Sequence, residues 1–279
     1  MVTFLILSLL FFAAGVLSIL FQRIVPEADV LRQRFPNRIT YTGIILWLLI
    51  IGATWFIVTH TTGFTRIASI TTMLFFLLLF ETLFLLVIRF VRSNIPAAFI
   101  SLGIALVPFT IQYYAPTFAL MNTVIILATM GATTLIIKLN YLRTKVVLLL
   151  VVLFTVNDVL NVHYLLPRLN LAPVTEPMRL LIFPTVTVGS HVVGSGDFMF
   201  LVLLTLLMLR EFGIRDALYL IIAESAGLFL TGIYVSQHDV LLPFLTIMTP
   251  IFAVVYFAAY RKRKRLTPTP PTQEYRPSL

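Results

Sequence analysis

Apolar residues run along this chain in long, nearly unbroken stretches. They show neither the alternation of a half-buried strand nor the single stripe of a surface helix. Stretches of about 20 residues, separated by short polar or basic clusters, are the pattern of helices that cross roughly 30 Å of hydrocarbon. Nine can be marked, at approximately 3–22, 39–59, 67–88, 95–114, 117–137, 146–166, 190–209, 217–235 and 240–260. The segment 180–189, LLIFPTVTVG, is apolar but short and β-branched. It reads as a short strand or a re-entrant piece before span seven. The expected fold is therefore one all-α, nine-helix transmembrane domain over 1–265. Spans one to five fall within about 1–140 and spans six to nine within about 145–260. A Pro-rich tail over 266–279 is expected to be disordered. The first stretch is too long for a signal-peptide core and lacks a basic leader, so it is read as a retained span.

Composition agrees with this pattern. The 279 residues are 59% hydrophobic and 11% charged, whereas a soluble domain carries about a quarter charged residues. Cysteine is absent, which excludes disulfides, a thiol nucleophile and cysteine-ligated metal. The four histidines follow no zinc spacing, and neither a P-loop nor a dinucleotide fingerprint occurs, so no metal or other cofactor is expected. The net charge of +9 raises the question of a nucleic-acid partner. Its distribution points to the lipid bilayer instead. With the N-terminus outside, one set of loops holds Arg23, Arg32, Arg34, Arg38, Arg89, Arg92, Lys138, Arg143, Lys145, Arg210, Arg215, Arg261–Arg265 and Arg276. The other holds Arg66, Arg168 and Arg179. Seventeen of the 20 basic residues on one side is the asymmetry of a cytoplasmic face. The run Arg261–Arg265 then reads as an anchor against anionic headgroups.

Four acidic residues fall inside spans: Glu81, Asp158, Asp197 and Glu224. Carboxylates in hydrocarbon are costly, and each is a functional hypothesis. Asp158 lies about eight residues before the outer end of span six, and Asp197 about seven after the outer start of span seven. At 1.5 Å per residue both sit roughly 10 Å below the outer surface, where antiparallel helices can bring them face to face. Two carboxyls close together in low dielectric cannot both ionise, so the pair shares a proton. Such a pair can activate a water and polarise a peptide carbonyl, with the two roles belonging to the pair. Gly194 and Gly196, in GSGD, leave the backbone before Asp197 open to close approach. Pro243 loosens the first turns of span nine near the same depth.

These elements together resemble the presenilin and signal peptide peptidase group, the GxGD intramembrane aspartyl proteases. The resemblance is best over about 145–260. It implies that Asp158 and Asp197 are catalytic, and that Gly194, Gly196 and Pro243-Phe244-Leu245 line the substrate path, with Asn157 and Ser195 beside them. Two positions depart from the family pattern. Asn157 stands where the family has Tyr before the first Asp, and Phe244 where it has Ala. The N-out, C-in charge pattern is that of the signal peptide peptidase branch, and a prokaryotic plasma membrane is the expected setting. The implied activity is endoproteolysis of transmembrane helical peptides, with no obligatory subunits and no nucleic acid. The rival reading is a proton- or ion-coupled transporter, to which Glu81 and Glu224 would contribute relay groups. A third is a catalytically weak relative that only holds transmembrane segments.

Overall fold

The computed structural model describes residues 2–26, 64–91, 93–139, 143–160, 163, 185–188, 191–238 and 244–266. Among them are eight helices and one two-stranded hairpin. The helices are α1 (Val2–Ile24), α2 (Phe64–Val87), α3 (Asn94–Tyr114), α4 (Phe118–Lys138), α5 (Thr144–Leu160), α6 (Ser195–Phe212), α7 (Ile214–His238) and α8 (Leu245–Leu266). The strands β1 (Thr185–Val188) and β2 (His191–Gly194) lie between α5 and α6. The expected second span, 39–59, the loop 166–179, Pro243 and the tail beyond 266 fall outside the described residues.

Continuous apolar sequence with no water available must satisfy its backbone internally, and the helix does so within one segment. Among the described residues, four helices are long and apolar enough to cross a membrane: Val2–Ile24, Asn94–Tyr114, Phe118–Lys138 and Ile214–Gln237. The structure departs from the sequence pattern at two boundaries. The pattern starts span seven at 190, but His191–Gly194 forms β2, antiparallel to β1, and the helix begins at Ser195. The final helix begins at Leu245 and continues through the basic run to Leu266, so Arg261–Arg265 extends the helix as a charged end.

The most enclosed helix is α6, whose side chains from Phe200 to Met208 are all buried. Around it pack α1, α4, α7 and α8, while α2 covers α4, α3 covers α2, and α5 lies against α8. Outward positions stay apolar, as Leu9 and Leu17 on α1 and Phe99 and Val107 on α3 illustrate. Small residues set the close approaches, as expected where helices associate without a hydrophobic drive. At Gly131 on α4, an added Cβ would clash with Thr82 Oγ1 and fall 2.7 Å from the Thr82 Cα. That hydroxyl donates to the Leu127 carbonyl at 2.9 Å, tying α2 to α4.

Cations close one end of the bundle. Lys138 donates to the carbonyls of Gln22 and Val25, and Arg89 to that of Ile24 at 2.6 Å, so two neighbouring elements cap the C-terminus of α1. At the ends of α5–α8, Thr144 donates to Glu211 at 2.7 Å, Arg210 donates to Thr144 at 2.9 Å, and Arg263 donates to the Glu211 carbonyl at 2.8 Å. Lys262 and Asp216 pair at 3.6 Å. Gly213, at φ +95°, makes the one-residue turn from α6 to α7, a conformation that side chains rarely adopt.

The Gly131 contact gives a matched test. Gly131→Ala should overpack the α2–α4 interface and cost about 1–3 kcal/mol, lowering the melting temperature in detergent. Gly103→Ala, where an added Cβ meets nothing within 4 Å, should leave it unchanged or slightly higher. Equal effects of the two would refute this packing.

Candidate functional site

Asp197 is positioned by the junction of β2 with α6. Gly194 is the N-cap and Asp197 the third helical residue, so the carboxylate reaches back and its Oδ2 accepts the Gly194 N–H at 3.2 Å. Glycine has no side chain to return this bond, so only half of a capping box is present. A Cβ on Gly194 would come within 3.3 Å of that same Oδ2, so the glycine gives the carboxylate its room. Gly196 is exposed, and a Cβ there would meet nothing within 4 Å, so its flank is open. Ser195, between the two, is half-buried.

Asp158 is positioned from a distance. The carbonyl of Phe244 accepts from the N–H groups of Ile247 and Met248, which makes Phe244 the start of α8. The next N–H, that of Leu245, has no acceptor inside its own helix. Asp158 Oδ2 accepts it at 2.9 Å, across 87 residues of chain. One turn deeper, the hydroxyls of Thr155 and Thr249 meet at 2.6 Å, a second rung between α5 and α8. Asn157 is exposed on α5.

Each carboxylate therefore sits at the N-terminal end of a helix, Asp197 in the first turn of α6 and Asp158 at the first N–H of α8. Both positions carry the positive end of a helix dipole and unsatisfied N–H groups, which favour negative charge. Each aspartate uses Oδ2 for its backbone bond, and no hydrogen bond to Oδ1 occurs among the described residues. One turn below, the rings of Phe154 and Phe200 meet edge to face at 4.9 Å and close the space between α5 and α6 with apolar surface.

Among the sequence-predicted residues, Asp158 bonds the Leu245 N–H and Asp197 bonds the Gly194 N–H. Phe244 and Leu245 are 9% and 7% exposed, and the Phe244 ring packs edge to face on that of Phe11. Pro243 lies outside the described residues. Glu224 is 0% exposed on α7, with neither oxygen hydrogen-bonded among the described residues, and Glu81 lines an apolar groove with Phe80, Phe84 and Phe99. No hydrogen bond or ion pair among the described residues links either glutamate to the aspartates. Thr155, Thr249, Phe154 and Phe200 are absent from the sequence-predicted set. Thr155 and Phe154 lie one helical turn from Asp158 and Phe200 one turn from Asp197, and that spacing is the available signal; their partnerships, and Thr249, emerge only when the helices are packed.

A scan against protein-family profiles finds no match for this chain, and a search of curated proteins finds none either.

The Leu245 bond separates two substitutions of one residue. Asp158→Asn keeps an acceptor for the Leu245 N–H and should leave the melting temperature in detergent near that of the parent. Asp158→Ala leaves the N–H without its partner and should cost about 1–3 kcal/mol. If both melt alike, the bond does not hold α8 to α5.

Proposed function

We propose that the chain is an intramembrane aspartyl endopeptidase that hydrolyses peptide bonds within transmembrane segments. The observation that supports it is the pair Asp158 and Asp197. They come from two different helices, are each held by one backbone N–H through Oδ2, and each have an Oδ1 with no hydrogen bond among the described residues, which suits a water or a substrate. In this reading one carboxyl, ionised, takes a proton from water as the water attacks. The other, protonated, donates to the carbonyl oxygen, and the pair then returns a proton to the leaving nitrogen. The open flank at Gly196 and the hairpin beside it suit an extended substrate that adds to the β1–β2 sheet. In the same reading the chain has nine spans, its N-terminus outside and its C-terminus in the cytoplasm of a prokaryote, and it acts as a signal peptide peptidase-like enzyme without cofactor or obligatory subunit.

The test is cleavage of a transmembrane peptide by purified protein in detergent or liposomes. Asp158→Asn and Asp197→Asn should each reduce the rate to a trace while the protein stays folded, because a shared proton requires both carboxyls. Substantial activity in either variant would place the chemistry elsewhere. A second reading, a proton- or ion-coupled transporter, is favoured by Glu224, which is buried with both oxygens unbonded. Glu224→Gln should keep most cleavage activity; loss of cleavage together with proton-coupled uptake in the parent would favour transport.

Direction gives a further check. The basic asymmetry puts the aspartates nearer the outer face, and main-chain pairing fixes strand polarity. Substrates with the N-terminus inside, such as signal peptide remnants and type II spans, should be preferred. One transmembrane sequence offered in both orientations, set by flanking lysines, should be cut mainly in that one and toward the outer face. Equal cleavage of both orientations would contradict it.

A further inference from the structure

The helix without a polar group at the site still reaches it. Phe11 on α1 is 0% exposed and makes two edge-to-face ring contacts. One is with Phe198, at 5.1 Å between centroids and 73° between planes; the other is with Phe244, at 5.5 Å and 81°. Phe198 directly follows Asp197. Phe244 directly precedes Leu245, whose N–H binds Asp158. A single ring thus packs against both the residue that follows Asp197 and the residue that precedes the N–H holding Asp158. Phe198 is itself 0% exposed and Phe244 9%, so both flanking rings are buried with it.

From this geometry we infer that Phe11 is a positioning residue that sets the separation of Asp158 and Asp197. The inference rests on the aspartyl protease reading above for its effect on rate, but not for its effect on geometry. Phe11 touches neither carboxyl and transfers no proton. It holds the start of α8 and the first turn of α6 apart. Without the ring the two segments move relative to one another, and with them the through-space coupling of the carboxyls.

The experiment compares the parent with Phe11→Ala, Phe11→Met and Phe21→Ala. Phe21 is a buried α1 phenylalanine about 15 Å along the helix, so its truncation controls for lost packing alone. Phe11→Ala should lower kcat at least tenfold with KM changed less than threefold. Phe11→Met, which fills most of the volume and guards against misfolding, should recover most of kcat, and Phe21→Ala should keep the kcat of the parent. A second readout uses no cleavage at all. In protein labelled with ¹³C at the aspartate carboxyls, the titration midpoint of Asp158 is followed by NMR with Asp197 intact and with Asp197→Asn. The displacement caused by Asp197→Asn should shrink at least twofold in the Phe11→Ala background and keep its size in the Phe21→Ala background. Equal displacement in all backgrounds overturns the inference. A parent that shows the coupling and its dependence on Phe11 but cuts no peptide leaves the positioning role standing and removes the protease reading. Cleavage that is lost equally in Phe11→Ala and Phe21→Ala overturns the positioning role and leaves the protease reading intact.

Discussion

The bond from the Leu245 N–H to Asp158 Oδ2, at 2.9 Å, meets two needs at once. A helix that begins inside an apolar bundle presents N–H groups with no acceptor in their own helix, and an aspartate in the same bundle presents oxygens that also need partners. Each is the other's remedy. The bond also fixes α8 against α5, and the Thr155–Thr249 contact one turn deeper fixes the rotation of that pair. Asp197 meets the same constraint more locally, by folding back onto the N-cap of its own helix. Both carboxylates are therefore held on one oxygen by backbone, which no side-chain substitution elsewhere can supply.

The remainder of the bundle positions these two points. The central helix α6 is buried along most of its length, so the height of Asp197 is set by packing against α1, α4, α7 and α8. At the opposite ends of α5–α8, Thr144, Arg210, Glu211 and Arg263 join three of the four helices through polar contacts. The α5–α6 pair is thus joined by polar contacts at one end and by the aromatic pair Phe154 and Phe200 one turn from the aspartates. Apolar surface surrounds the carboxyls from below and polar backbone holds them from the side. That combination keeps a charged group in place without surrounding it with other charges.

Much of this is legible in the amino-acid sequence alone, and the parts that are not have physical reasons. Long apolar stretches announce helices, and TVTV, with its alternating β-branched residues, announces β1. Its partner HVVG is hidden because a short apolar run joined to a helix has no periodicity of its own. GSGD is readable because cap, glycine and carboxylate lie within four residues. The pairing of Asp158 with Leu245 spans 87 residues and involves a backbone group, so no side-chain pattern encodes it. Matched depth and family likeness point to the neighbourhood, not to the bond. Phe11 gives no signal because every turn of α1 carries large apolar residues. Phe244 reads as added bulk in a substrate path, and the packing of its ring on Phe11 becomes visible only when α1 is set beside α8.

Everything proposed for this chain depends on Asp158 and Asp197 occupying one shared site. The chain contains no cysteine, so introduced thiols can be probed without background. Two double variants are prepared in membranes and treated with a short bifunctional thiol reagent: Thr155→Cys with Thr249→Cys, and Asp158→Cys with Asp197→Cys. The threonine pair, whose hydroxyls are 2.6 Å apart, reports that α5 and α8 are assembled. The expected result is that the aspartate pair crosslinks within one chain as completely as the threonine pair. A threonine pair that crosslinks beside an aspartate pair that does not would contradict the shared site.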